Sequence, residues 1–155
     1  ARRAVKAVRY PPDGKRGVGL ARAQGYGSSF ENYKNWVNRE SIVIVQVEHI
    51  KAVENLDAIL TVDGVDGFIV GPYDLSGSLG IPGQFDNGLM IEAMSKIQTF
   101  MRSSSKMSGY HVVEPDVDQL KQRVQEGYGF LAYSVDIRML DTCCRSAIKK
   151  IEVQI

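Results

Sequence analysis

Two short stretches carry the residues best placed to do chemistry. VQVE, residues 45–48, sets an amide, Gln46, and a carboxylate, Glu48, two positions apart at the end of an apolar run. GPYD, residues 71–74, delivers a second carboxylate, Asp74, where another apolar run breaks at Gly71 and Pro72. Strand positions two apart share a face, so Gln46 and Glu48 point the same way. Neighbouring strands lie about 4.8 Å apart, so Glu48 and Asp74 on consecutive strands can converge on one point. Two anions that close repel unless a cation lies between them. A hard divalent ion, Mg²⁺ or Mn²⁺, accepts one or two carboxylates and keeps its other positions for water and substrate oxygens. Gln46 could then hydrogen-bond a substrate oxygen or a water on the ion. The small residues Gly77-Ser78-Leu79-Gly80 read as a loop whose N–H groups can approach an anion. Plainer readings stand beside these. Glu48 could cap the following helix or pair with Lys51, and Asp74 could cap a turn beginning at Ser76.

The elements that must position these residues are legible as alternating strands and helices. Ser41 to Val47 is an almost unbroken β-branched run, as expected of a strand buried on both faces of a parallel sheet. Residues 50–60 then place Ala52, Val53, Leu56, Ile59 and Leu60 on one helical face, and Asp63-Gly64 ends that helix. Further strands are predicted over Val65–Val70, Met107–Val113 and Phe130–Val135. Between and after them come helices over Asp86–Met101, from Pro115 to about Gly127, and over Ile137–Val153. Upstream, Ala1, Ala4, Val5 and Val8 have helical spacing, PPDG is a turn, and residues 15–29 with four glycines read as loop. Ser28-x-x-Glu31 predicts a capping box opening a helix to about Asn38. Four strands alternating with helices demand parallel pairing and right-handed crossovers, either in an open doubly wound sheet or in half of an eight-stranded barrel. In both, ligands bind at the carboxyl ends of the strands, here Gln46 and Glu48, Gly71 to Asp74, His111 and Glu114, and Ser134 and Asp136.

Competing chemistries fail residue by residue. GVGLAR at 17–22 lacks the third glycine and a preceding strand, so it is no dinucleotide fingerprint. No lysine lies within a strand run, and Lys106 sits at the wrong end of its strand, which argues against a Schiff base. His49 faces away from Glu48 if the strand continues through both, and His111 reads as a hydrogen-bonded core or supporting histidine. Cys143 and Cys144 are adjacent on a helix and cannot bridge each other, so they read as partly buried free thiols. With 19 Lys and Arg against 18 Asp and Glu, and no basic run interleaved with aromatics, nucleic acid is not an expected partner. Apolar runs are strand-sized and no leader pattern opens the chain, so no membrane partner and a cytoplasmic location are expected.

RYPPDGKRGVG, ARAQGYG, VQVE, NLDAIL, GVDGFIVGPYDLSGSLGIPGQ and a late G-x-H run, in this order and over nearly the whole chain, resemble the HpcH/HpaI family of metal-dependent (class II) pyruvate aldolases. The resemblance implies the C-terminal half of a TIM (β/α)₈ barrel. It implies one segment over residues 1–155 of about four strand–helix units, incomplete at its N-terminus. It implies a divalent metal, Mg²⁺ or Mn²⁺ with Co²⁺ and Zn²⁺ as further candidates, held by Glu48 and Asp74. It also implies that Gln46 lies beside the ligand, that Gly71, Pro72, Tyr73 and Asp74 bind a 2-oxo acid such as pyruvate, and that backbone N–H groups around Tyr73 and Asp74 help hold its carboxylate. The reaction implied is cleavage of a 4-hydroxy-2-oxo acid to pyruvate and an aldehyde, in a homo-oligomer, a hexamer in the family. The alternatives are an acyl-CoA ester lyase of the citrate-lyase-beta type and a non-catalytic half-barrel that binds metal or a partner. The histidine base and substrate-binding arginine of the family match no residue of this chain.

Overall fold

Alternating apolar runs and amphipathic helices give a four-stranded parallel sheet in the order β1-β2-β3-β4, covered on one side by helices. The computed structural model describes residues 1–152, so Val153, the expected end of the last helix, lies outside the described residues. The elements are α1 (Arg2–Val8), a 3₁₀ segment (Arg22–Gly27), α2 (Phe30–Glu40), β1 (Ile44–Val47), α3 (Ile50–Glu54), α4 (Leu56–Leu60) and β2 (Gly67–Val70). They continue with α5 (Pro72–Ser78), α6 (Gly88–Ser103), β3 (Met107–Val112), α7 (Val117–Gln125), β4 (Phe130–Tyr133) and α8 (Asp136–Glu152). No helix among the described residues is long and apolar enough to cross a membrane.

Strand register decides which side chains share a face. Val47, Val70 and Tyr110 lie side by side across β1, β2 and β3 and are buried against the helices. Phe68 is 0% exposed and meets Phe100 of α6 edge to face at 6.2 Å. Leu56, Leu60, Met90 and Ile97 complete this layer. The alternate positions, Ile44 and Gln46 of β1, Ile69 of β2, Met107 and His111 of β3, and Ala132 of β4, form the opposite face. That face is open among the described residues: Gln46 is exposed and Met107 is 48% exposed. The strand expected from Ser41 to Val47, buried on both faces, is therefore shorter and buried on one.

Local chemistry sets the boundaries that differ from expectation. Val43 donates its N–H to the Asp66 carboxylate (2.7 Å) and Asp66 donates back to the Val43 carbonyl (3.0 Å), so pairing starts one residue later. The helix over 50–60 is two helices, because the Asn55 side chain donates to the Lys51 carbonyl (2.8 Å), the acceptor a continuous helix would need. The expected capping box does not form: Ser28 donates to Gly25 O (2.8 Å), Ser29 occupies the cap position and Glu31 pairs with Lys34. Pro115 precedes the cap of α7 instead of opening it. Asp116 takes that place, accepting from the N–H groups of Asp118 (2.8 Å) and Gln119 (3.2 Å), bonds that hold its carboxyl below the ordinary range. Cys143 and Cys144 are exposed free thiols, not partly buried ones, since α8 carries them on its open surface.

Candidate active site

The stretch after Gly71 is a helix where small residues predicted a loop. Pro72 occupies the first position of α5, where its missing N–H costs nothing. Leu75 is 0% exposed and anchors the turn in the core, while Ser76 and Ser78 return their hydroxyls to the carbonyls of Tyr73 and Leu75, each at 2.7 Å. The Ser78 hydroxyl also accepts the Ile50 N–H (2.9 Å), tying α5 to the start of α3. Leu75 N–H donates to Gly71 O and Gly71 N–H to Val47 O, while among the described residues the N–H groups of Tyr73 and Asp74 find no acceptor. Two backbone donors therefore open at the end of β2, beside the Asp74 side chain, which is exposed in the first turn.

Gln46, Glu48 and Gly71 are brought into contact. A Cβ on Gly71 would lie 3.0 Å from Gln46 Nε2 and 3.3 Å from Glu48 Oε2, so the absent side chain leaves the room in which the amide and the carboxylate sit. Gln46 is exposed and Glu48 half-buried. The plainer readings of the two acids do not hold. His49, not Glu48, caps α3, its Nδ1 accepting the Lys51 N–H at 3.2 Å. Among the described residues neither Glu48 nor Asp74 takes part in an ion pair or accepts a side-chain hydrogen bond. Other strand-end acids are engaged. Glu114 holds Arg138 in a two-pronged pair (2.7 and 3.3 Å), and Asp136 accepts the Ile137 N–H (2.8 Å). Lys106 reaches the Val65 carbonyl at the amino ends of the strands, away from this site.

Glu48 follows the carboxyl end of β1 beside the Gln46 amide, and Asp74 lies with two free N–H groups in the first turn after the neighbouring β2; oxygen donors of this kind suit a hard cation with an anion beside it. Among the described residues no three His, Cys, Asp or Glu side chains are grouped so as to hold an ion. Two carboxylates and no thiolate are donors for a hard ion of the Mg²⁺ or Mn²⁺ kind, not for a closed structural zinc site.

A cleft of about 660 Å³ runs from the carboxyl ends of β2 and β3 down between α6 and α7. Pro72, Tyr73, Phe85, Asp86, His111 and Glu114 line its mouth, while Glu48 and Asp74 lie outside its wall. Tyr73 meets Phe85 edge to face at 4.9 Å. Phe85 and Asp86 were not indicated by sequence, because they lie in the connection between α5 and α6; His111 was placed at a strand end, and strict alternation counted from Tyr110 is the signal that identifies its face. A larger depression of about 980 Å³ lies on α2 around Trp36 and holds no carboxylate, so it does not compete as a metal or catalytic site.

Comparison with known proteins bears on the family and the fold. The model of the family described as HpcH/HpaI aldolase/citrate lyase matches residues 1–142. A 2-keto-3-deoxy-L-rhamnonate aldolase of Shigella dysenteriae is 45% identical over 141 residues, covering 88% of this chain and 51% of its own length. The chain thus spans about half the length of the curated relatives it matches. The crystal structure of an HpcH/HpaI aldolase from Desulfitobacterium hafniense superposes with a TM-score of 0.79 at 32% identity, over 96% of this chain and 57% of that one. A family protein from Burkholderia cenocepacia superposes with a TM-score of 0.84 at 30% identity, over 96% and 58%. The parallel β/α units read from the sequence are those of these aldolases, and four of them make a partial barrel.

Proposed function

The chain belongs to the HpcH/HpaI aldolase/citrate lyase family, and from that premise we propose that it carries the metal-binding and oxo-acid-binding part of a carbon–carbon lyase that cleaves 4-hydroxy-2-oxo acids to pyruvate and an aldehyde. The single observation that carries this reading is that two carboxylates without ion-pair partners follow adjacent strands, Glu48 beside Gln46 and Gly71, and Asp74 with the open N–H groups in the first turn of α5.

Glu48 and Asp74 would hold Mg²⁺ or Mn²⁺. When bound there, the ion supplies Lewis-acid polarisation of a 2-oxo acid. The Tyr73 and Asp74 N–H groups donate to the carboxylate of the oxo acid, and the positive end of the short helix favours that charge. Gln46 Nε2, held beside Gly71, donates to an oxygen of the same ligand and fixes its rotation. Buried Gly71 and Pro72 form the floor under the ligand, and half-exposed Tyr73 shields one side from water. No residue of this chain is assigned as the base that removes the methyl proton.

The protein is further proposed to act as a homo-oligomer. Supporting this is α8, where Ile137, Leu140, Ile148 and Ile151 are 56–70% exposed at helical spacing, an apolar stripe that association would cover.

The test is pyruvate release from 4-hydroxy-2-oxo acids by the full chain with Mg²⁺ or Mn²⁺. Activity lost with EDTA and restored by the ion is expected. Undiminished activity in protein shown to be free of metal contradicts the reading, and activity only on acyl-CoA esters reassigns the substrate.

A further inference from the structure

The row of residues just beyond the buried triplet Val47, Val70 and Tyr110 is Glu48, Gly71 and His111. Pairing persists here, since Gly71 N–H donates to Val47 O at 3.1 Å. Side chains alternate along a strand, so Glu48 and His111 stand on the same open face, two strand spacings or about 10 Å apart at the backbone. Glycine occupies the middle position, and Ala132 pairs with His111 on the far side, so only small residues flank the imidazole in its row.

The ring is oriented by the neighbouring strand. His111 Nε2 lies 3.2 Å from the Ser134 carbonyl oxygen, and Ser134 adopts a left-handed conformation, φ 56°, that few residues other than glycine accept. A carbonyl oxygen only accepts, so Nε2 carries the proton, and in the neutral ring Nδ1 carries the lone pair. Among the described residues Nδ1 has no hydrogen-bond partner and is not a fully buried orphan. The half-buried side chain lines the same cleft mouth as Pro72, Tyr73, Phe85 and Asp86.

Resting on the aldolase reading above, we propose that His111 is a specificity-determining residue for the aldehyde half of the substrate: its Nδ1 accepts a hydrogen bond from a hydroxyl group next to the aldehyde carbon. A three-carbon oxo acid beside Glu48 fills the first strand spacing, and the aldehyde half extends over Gly71 into the second. A neutral imidazole with a fixed acceptor nitrogen selects hydroxyl donors and gives nothing to a methyl group. The class of acceptor is therefore a 2-hydroxyaldehyde.

The experiment measures condensation of pyruvate with glycolaldehyde and with acetaldehyde by the full chain and Mg²⁺. The ratio of kcat/KM for glycolaldehyde to that for acetaldehyde should fall about tenfold in His111→Leu, the value of one neutral hydrogen bond, with most of the loss in KM. His111→Gln, whose amide oxygen accepts, should recover most of the ratio. Equal loss with both aldehydes, or an unchanged ratio, overturns the proposal. A second readout does not need turnover. In ¹⁵N-histidine spectra His111 should be the Nε2–H tautomer, and its Nδ1 resonance should move with glycolaldehyde and not with acetaldehyde. An Nδ1–H tautomer, or an Nδ1 indifferent to glycolaldehyde, overturns it whether or not the chain is an aldolase. Metal-dependent exchange of the pyruvate methyl protons, measured without aldehyde, reports the aldolase reading by itself.

Discussion

Replacing Gly71 by alanine tests how the candidate site is built. Gly71 has φ −99° and ψ 95°, a conformation open to alanine, so the substitution adds no backbone strain. Its effect is purely one of space. The new methyl would stand 3.0 Å from Gln46 Nε2, 3.2 Å from Glu48 Cβ and 3.3 Å from Glu48 Oε2. Comfortable contacts begin near 3.5 Å, so the neighbours must retreat by about 0.2–0.5 Å. Both are side chains with freedom to move, one exposed, which puts the stability cost near the low end for overpacking, about 1 kcal/mol, or roughly 2–4 °C in Tm. Metal binding is less forgiving, because ligand distances tolerate only about 0.2 Å. Displacing Glu48 by this much should weaken Mn²⁺ about 10–100-fold, equivalent to ~1.4–2.7 kcal/mol. The assay is Mn²⁺ titration followed by electron paramagnetic resonance, with a thermal melt on the same samples. A folded Gly71→Ala protein with undiminished Mn²⁺ affinity would refute the packing argument. So would a melt lowered by tens of degrees, since that requires backbone disruption the geometry does not contain.

Further substitutions probe the fold and the site separately. Phe68→Ala removes a ring that is fully buried between β2 and α6 and should cost about 3–5 kcal/mol in denaturant unfolding, whereas a loss below 1 kcal/mol would mean the core is not centred there. Tyr128→Phe should stabilise by about 1 kcal/mol near neutral pH, because the Tyr128 hydroxyl is buried without a partner. Burial raises the Tyr128 pKa in the folded state, so its contribution is fully present below the ordinary tyrosine value of 10.0 and is lost as pH rises above it. The variant's advantage should therefore widen above pH 10, and parallel stability curves for the two proteins would contradict this assignment. Gln46→Ala should raise the KM for the oxo acid several-fold with little change in Mn²⁺ affinity, because it removes one substrate hydrogen bond and no metal ligand; equal losses in both would place Gln46 on the ion.

The alternation of strands and helices was legible because burial imposes it. β-Branched runs mark strands, and the spacing of Val53, Leu56 and Leu60 keeps one apolar face even though Asn55 breaks the helix. Boundaries depended on single side chains far away in sequence, as with Asp66 capturing the Val43 N–H. The segment after Gly71 was misread as loop because its glycine and serine content hides a helix fixed by Pro72 at the first position and Leu75 in the core. Glu48, Asp74 and Gln46 were singled out from type and spacing alone. That Gly71 makes room for two of them, and that His111 shares their face, required the strand register.

The proposal that Glu48 and Asp74 jointly hold one ion is tested most directly by locating Mn²⁺ from its anomalous scattering in crystals of the full chain grown with and without pyruvate. A single peak within about 2.0–2.4 Å of oxygens from both carboxylates is expected, vanishing in Glu48→Gln and in Asp74→Asn alike. An ion held elsewhere, or one that keeps its place when either carboxylate is removed, contradicts it.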